Sequence, residues 1–199
     1  MIFLSNNTAA APQKKRGLLS NLIEIVIIIV VALGLAWAVT TFVVQPYEIP
    51  SSSMEDTIEI GDRVLSEKIT LETGGTPQVG DIITFIDPET VDLSKDNQRT
   101  LIKRVIATEG QTVELKDGVV YVDGQPLSEE GYTEGKPSYE LDGSTIEYPY
   151  TVPEGCVWVM GDNRINSQDS RWFGAVKVST VTGIAVFRYW PLNRIGGLG

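Results

Sequence analysis

Hydrophobic and polar positions divide this chain into two unequal parts. From Ile25 to Val44 an apolar run contains no charged residue; as a helix rising 1.5 Å per residue it measures about 30 Å, the thickness of a bilayer's hydrocarbon core. After it the pattern shortens and alternates. Arg63 to Lys68, Asp81 to Ile86, Thr100 to Ala107, Thr112 to Leu115, Val119 to Val122, Cys156 to Met160 and Thr182 to Tyr189 are short stretches rich in Val, Ile, Thr and aromatics, and they predict strands. Lys116-Asp117-Gly118 predicts a hairpin turn between the fourth and fifth of these, and Asp123-Gly124 the turn that follows. The polar stretch Asp87 to Arg99 caps an extended hairpin, while Gly124 to Gly155 reads as an inserted loop or small subdomain. No 3.6-residue apolar period persists elsewhere, so no substantial helix is expected beyond the apolar run. The predicted fold is mainly β, with many short strands packed as sheets or a partly closed barrel behind one transmembrane helix.

The apolar run is too long for the core of a cleaved signal, and its one Ala-x-Ala-like site, Ala36-Trp37-Ala38, lies inside it. An uncleaved anchor is expected over 21–45. Lys14, Lys15 and Arg16 precede it, which places the tail 1–20 in the cytoplasm and exports 46–199. Within that exported domain, 111–153 forms a smaller inserted region.

Composition narrows the picture further. At 42% hydrophobic residues, 199 residues suffice for one well-cored domain. Of 26 acidic and 16 basic residues only Glu24 and the three N-terminal cations precede residue 46, leaving a net charge of about −12 on the remainder. That balance argues against nucleic acid as a partner and suits the solubility of an exported domain. The single cysteine, Cys156, lies in the apolar stretch Cys156-Val157-Trp158-Val159-Met160 and reads as a buried strand residue.

The chain has no histidine, so a serine nucleophile would need another base. Pro50-Ser51-Ser52-Ser53-Met54 is by itself an ordinary polar loop. Lys103 lies in Leu101-Ile102-Lys103-Arg104-Val105-Ile106, where strict alternation puts Leu101, Lys103 and Val105 on one strand face. It is either an edge lysine that discourages aggregation or a buried amine. A free lysine is neutral only about once in 2,500 molecules at pH 7, and burial lowers its pKa by roughly 3 to 5 units. A buried Lys103 could therefore take the proton of a serine such as Ser53. Gly161 to Arg171 mixes both charge signs, amides and hydroxyls, and reads as a polar turn or as an interlocked network aiming Ser167.

Taken together, these segments resemble bacterial type I signal peptidases. Pro50-Ser51-Ser52-Ser53-Met54-Glu55-Asp56-Thr57 matches the family pattern Pro-Ser-x-Ser-Met-x-Pro-Thr, Lys103-Arg104-Val105 matches its lysine box, and 161–171 matches Gly-Asp-Asn-Arg-x-Asn-Ser-x-Asp-Ser-Arg throughout. The resemblance extends from the anchor to Arg188-Tyr189-Trp190-Pro191 and is weakest over 111–153. It implies a signal-peptidase-like β-sheet catalytic domain and a Ser/Lys dyad, with Ser53 as nucleophile and Lys103 as base. Ser51 and the Ser53 N–H would form the oxyanion hole, Ser167 would orient the lysine, and Asp162, Asp169 and Arg171 would support it. Tyr47, Ile49, Met54, Ile58, Leu101 and Ile102 would wall shallow pockets for the small side chains one and three residues before the cut.

The implied activity is removal of signal peptides from exported preproteins after Ala-x-Ala type sites, with no cofactor and no metal. The implied partners are signal peptides, the lipid bilayer and the neighbouring export machinery. The implied site is the bacterial inner membrane, with the thylakoid as an alternative. Two other readings use the same residues: an inactive membrane-tethered β-domain adaptor, and a self-cleaving Ser/Lys repressor. The chain departs from the family at Asp56, which replaces Pro, at Ser52, and at Ala107 and Glu109. Glu55 and Asp56, so near Ser53 in sequence, are expected to favour the charged form of Lys103 and raise its pKa.

Overall fold

A computed structural model describes residues 18–198. The N-terminal cations at 14–16, used above to orient the anchor, lie outside the described residues. The helix α1, Leu18–Phe42, is apolar on all sides, and its stretch Asn21–Thr41 is long and apolar enough to cross a membrane. The helix stops at Phe42, and Val44 and Gln45, assigned above to the anchor, open strand β1, Val44–Glu48. Pro46 and β-branched Val44 favour extended backbone there.

Strands β1, β2 (Arg63–Glu67), β3 (Ile82–Ile86) and β4 (Thr100–Thr108) belong to a larger antiparallel sheet. Strands β5 (Thr112–Lys116), β6 (Val119–Val122), β7 (Gln125–Pro126) and β8 (Tyr150–Thr151) form a second, four-stranded one in the order β7-β6-β5-β8. The chain then returns to the larger sheet as β9 (Cys156–Met160), β10 (Val176–Lys177), β11 (Val181–Trp190) and β12 (Gly196–Gly197). That sheet runs β1-β2-β11-β3-β4-β9-β10, with β12 on β11. The fold is mainly β. Helices α2, Ile69–Glu72, and α3, Ser170–Phe173, are single turns.

The seven sequence-predicted strands form, with ends shifted by no more than about a residue or two. Of the five missed strands, β7, β8, β10 and β12 are two residues long, too short for any period to register, and β1 begins where the apolar run had been read as anchor. Asp117 and Gly118 both have positive φ between Lys116 and Val119, as do Asp123 and Gly124 between Val122 and Gln125. Those are the conformations that match hairpin turns to strand twist.

The sheet faces hold separate cores. Ile49, Met54, Ile58, Val64, Ile82 and Ile102 pack together. Ile83, Phe85, Val105, Val157 and Val159 pack together separately, with Leu101 against them. Alternation along β4 thus sends Ile102 to one core and Leu101 and Val105 to the other. Pairing of β4 with β9 begins at Arg104, so Thr100 to Lys103 have β3 on one side and, among the described residues, no strand on the other.

Candidate active site

Ser53 sits in a run of consecutive turns after Pro50. Glu55 N–H donates to Ser52 O at 3.1 Å, and Ile58 N–H donates to Met54 O at 2.7 Å. Met54 and Ile58 are fully buried in the core beneath, which pins the turn from inside. Lys103 comes from β4, paired with Ile83 of β3 on one side and just before the point where β9 joins on the other. Its Nζ donates to Ser53 Oγ at 2.5 Å. Both residues are buried, Lys103 with 3% of its surface exposed.

Among the described residues no carboxylate forms an ion pair with Lys103. Burial pushes its pKa down to about 8; Asp169, Asp162 and Asp87 pull it up, and Arg171 pushes it down. The two acids expected from sequence proximity to raise it, Glu55 and Asp56, are engaged elsewhere. Asp56 pairs instead with Lys136, and Glu55 accepts from Asn163 Nδ2 at 3.4 Å.

The segment 161–171 wraps this pair with two buried ion pairs. Arg104 Nε and Nη2 donate to the two oxygens of Asp162 at 2.9 and 2.7 Å, and Thr57 Oγ1 donates to the same carboxylate at 2.6 Å. Arg171 grips Asp169 through Nε and Nη2, both at 2.9 Å, and Gly161 N–H adds a third bond at 3.0 Å. Burial disfavours the Asp169 carboxylate, but Arg171 and the Gly161 N–H more than offset this and hold its pKa below the ordinary range. Two asparagines hold the nucleophile's own backbone. Asn163 N–H donates to Ser53 O at 3.1 Å, its Nδ2 to Ser52 O at 3.1 Å, and Asn166 Nδ2 to Ser52 Oγ at 2.8 Å.

Gly161 makes this fit possible. A Cβ there would meet Ser167 Oγ at 2.3 Å and Ser53 O at 2.4 Å, distances no side chain tolerates. Ser167 is buried against that glycine; its hydroxyl makes no hydrogen bond of normal geometry among the described residues but lies close enough to Asp169 to help hold that carboxylate's pKa down.

The pair opens into a cleft of about 240 Å³ lined by Ser51, Ser53, Leu101, Lys103, Asp87 and Arg99, among others. Tyr47, Ile49, Leu101 and Ile102 line a second hollow of about 30 Å³ that shares Leu101 with the first. Met54 and Ile58 line neither, because their side chains are wholly enclosed. They stand behind Ile49 and Ile102 rather than in a pocket wall. Sequence reasoning gave no role to Thr57, Asp87, Asn163 or Asn166. The two asparagines lay inside the recognised 161–171 pattern, so their position was legible but not their target. Among the described residues no group of His, Cys, Asp or Glu is placed to hold a metal ion.

A β-sheet protein in which a buried lysine touches a serine hydroxyl has the makings of a serine hydrolase without histidine. A family profile for signal peptidase, peptidase S26, matches residues 22–190. A probable signal peptidase I-1 from Synechocystis sp. is 46% identical over 173 residues, covering 86% of this chain and 84% of the relative. A signal peptidase I from Leptolyngbya laminosa is 38% identical over 192 residues, covering 96% and 89%. A crystal structure of a signal peptidase I from Enterococcus faecalis is 35% identical and covers 54% of this chain and 95% of its own, with a TM-score of 0.43. The chain belongs to the signal peptidase family, peptidase S26, and is a serine endopeptidase.

Proposed function

We propose that this chain removes signal peptides from exported preproteins through a Ser53/Lys103 dyad. The observation that carries the reading is the 2.5 Å contact between Ser53 Oγ and a buried lysine amine that has no acid partner among the described residues. With its pKa near 8, a useful fraction of Lys103 is neutral close to neutral pH. The neutral amine takes the Ser53 proton as Oγ attacks the scissile carbonyl carbon. The resulting oxyanion lies against the Ser53 N–H and the Ser51 hydroxyl. Collapse breaks the C–N bond, the lysine ammonium protonates the departing amine, and an acyl-enzyme ester remains. Lys103 then deprotonates the water that hydrolyses it. Ser167 accepts a second hydrogen of the amine and orients it, and the Asp162 and Asp169 ion pairs fix the surrounding turn.

The substrate lies extended along the open edge of Thr100–Lys103 and adds to the sheet. Alternate side chains, one and three residues before the cut, then face the hollow of Tyr47, Ile49, Leu101 and Ile102, whose size admits small groups only. Helix α1 anchors the protein in the bilayer as a single pass, and the N-terminal cations favour a cytoplasmic tail and an extracytoplasmic catalytic domain. The bacterial inner membrane is the proposed location, beside the export machinery that delivers the substrates.

Incubating the detergent-solubilised protein with a preprotein carrying an Ala-x-Ala site tests this reading. Cleavage at that site by the wild type, and none by Ser53→Ala or Lys103→Ala of unchanged fold, is expected. Near-normal turnover by either variant would sink the dyad. Replacing the Ala before the cut by Leu or Phe should nearly abolish cleavage, and equal cutting of bulky and small sites would remove the hollow from its role.

A further inference from the structure

Residues 129–139 of the inserted region reach the 161–171 turn that carries the site. Glu129 Oε1 lies 2.5 Å from Arg164 Nη2, and Ser138 Oγ accepts from Arg164 Nη1 at 2.7 Å. The Tyr132 ring stacks under the Arg104 guanidinium at 4.3 Å, and Tyr139 O accepts from Arg171 Nη1 at 3.1 Å. Each arginine that braces the 161–171 turn or Asp162 therefore has a partner from residues 129–139. Thr133 and Ser138 are buried, and Lys136 N–H closes a turn on Thr133 O at 2.9 Å, so Lys136 is presented from a fixed backbone.

Lys136 makes an ion pair with Asp56, three residues after Ser53. Asp56 has φ of 75°, a left-handed conformation that few side chains adopt and that Asp tolerates better than most. Proline, with φ locked near −65°, cannot take it. The side chains of the pair are only 23% and 29% exposed, so water screens them less than an open surface pair.

We propose that Lys136 and Asp56 are positioning residues: their ion pair ties the inserted region to the nucleophile turn and does here the stiffening that a proline ring would do. The proposal rests on the Ser53/Lys103 reading. The tie acts on geometry: it holds the turn that carries Ser53, while the Lys103 pKa is set chiefly by burial, Asp169, Asp162, Arg171 and Asp87. Loss of the tie should therefore lower kcat without moving the pH profile.

The test is a double-mutant cycle on the full chain with the same preprotein, using Lys136→Met, Asp56→Asn (an amide that also tolerates positive φ), the double variant, and Lys136→Arg. Each single variant should lower kcat by about 3- to 10-fold, a small displacement of the reacting atoms being enough for this. KM and the pH of the rising limb should stay within about twofold and a few tenths of a unit. The double should be no worse than either single, because one interaction is lost in all three, and Lys136→Arg should stay within about twofold of wild type. Wild-type kcat in both singles, effects that multiply in the double, or a shifted pH limb would each overturn the proposal. The same cycle read by thermal unfolding in a Ser53→Ala background needs no catalysis. Coupling there, alongside a Ser53→Ala enzyme that still cuts, would remove the dyad and keep the tie; absence of coupling would remove the tie alone.

Discussion

Two lysines approach the Ser53 turn from opposite parts of the molecule, and they are held in opposite ways. Lys103 comes from the eight-stranded sheet, is 3% exposed, and touches a serine hydroxyl with no ion-pair partner among the described residues. Lys136 comes from the inserted region, keeps 23% of its side chain exposed, and meets the Asp56 carboxylate. Burial lowers the pKa of the first to about 8 against the pull of Asp169, Asp162 and Asp87; the second is half-buried and held by a carboxylate. A lysine becomes a base or a strut according to what surrounds it, and here a strand of the larger sheet presents one and the loop between β7 and β8 presents the other.

The widest separation expected between the two is in turnover. Ser53→Ala and Lys103→Ala should each lower kcat by roughly 10⁴-fold or more, since members of one catalytic unit fail together. Lys103→Arg should fail as badly, because a guanidinium does not give up its proton in proteins. Single-turnover assays of these variants beside Lys136→Met measure the gap directly. If Lys103→Arg retains most of the rate, Lys103 is a strut as well and the contrast disappears.

Ser51→Ala sharpens the catalytic side of the comparison. Losing one oxyanion donor should lower turnover by about 10²- to 10³-fold, mostly in kcat. An unchanged kcat would leave Ser51 as part of an exposed loop. Gly161→Ala probes where the 161–171 turn presses on the nucleophile. Its new methyl would overlap Ser167 Oγ and the Ser53 carbonyl, and a shift of about 1 Å in reacting groups costs on the order of 10²-fold. Near-wild-type kinetics would mean the contact relaxes away from Ser53.

How far this was readable in the sequence depended on the kind of signal. Strands such as Val119–Val122 and Cys156–Met160 were written in residue type and bounded by turn residues. The contact of Ser53 with Lys103, 50 residues apart, had no local signal; it was reached through the family pattern and through the alternation that puts Lys103 beside Leu101 and Val105. Asp56, near Ser53 in sequence, has a partner that no local signal gave. A left-handed backbone turns its side chain to Lys136, 80 residues on. Met54 and Ile58 were legible as apolar but not as enclosed, since pocket wall and core have the same composition.

The finest test of the contrast is the pH dependence of kcat/KM. Lys103 acts as a base only when neutral, so the rate should rise through its free-enzyme pKa near 8. The groups that set this value are burial first, then Asp169, Asp162, Arg171 and Asp87. Asp169 and Asp162 are locked in buried ion pairs, and removing either strands a buried arginine. Asp87 is the separable one, because its partner Arg99 is largely exposed. A negative charge favours the ammonium, so Asp87→Asn should lower the Lys103 pKa and move the rising limb to lower pH, by less than about one unit for a charge acting through partly screened space. Glu55→Gln should leave the limb where it is. A limb that moves in Glu55→Gln and stays in Asp87→Asn would mean that the acids near Ser53 in sequence, rather than those around the β4 lysine, govern the base.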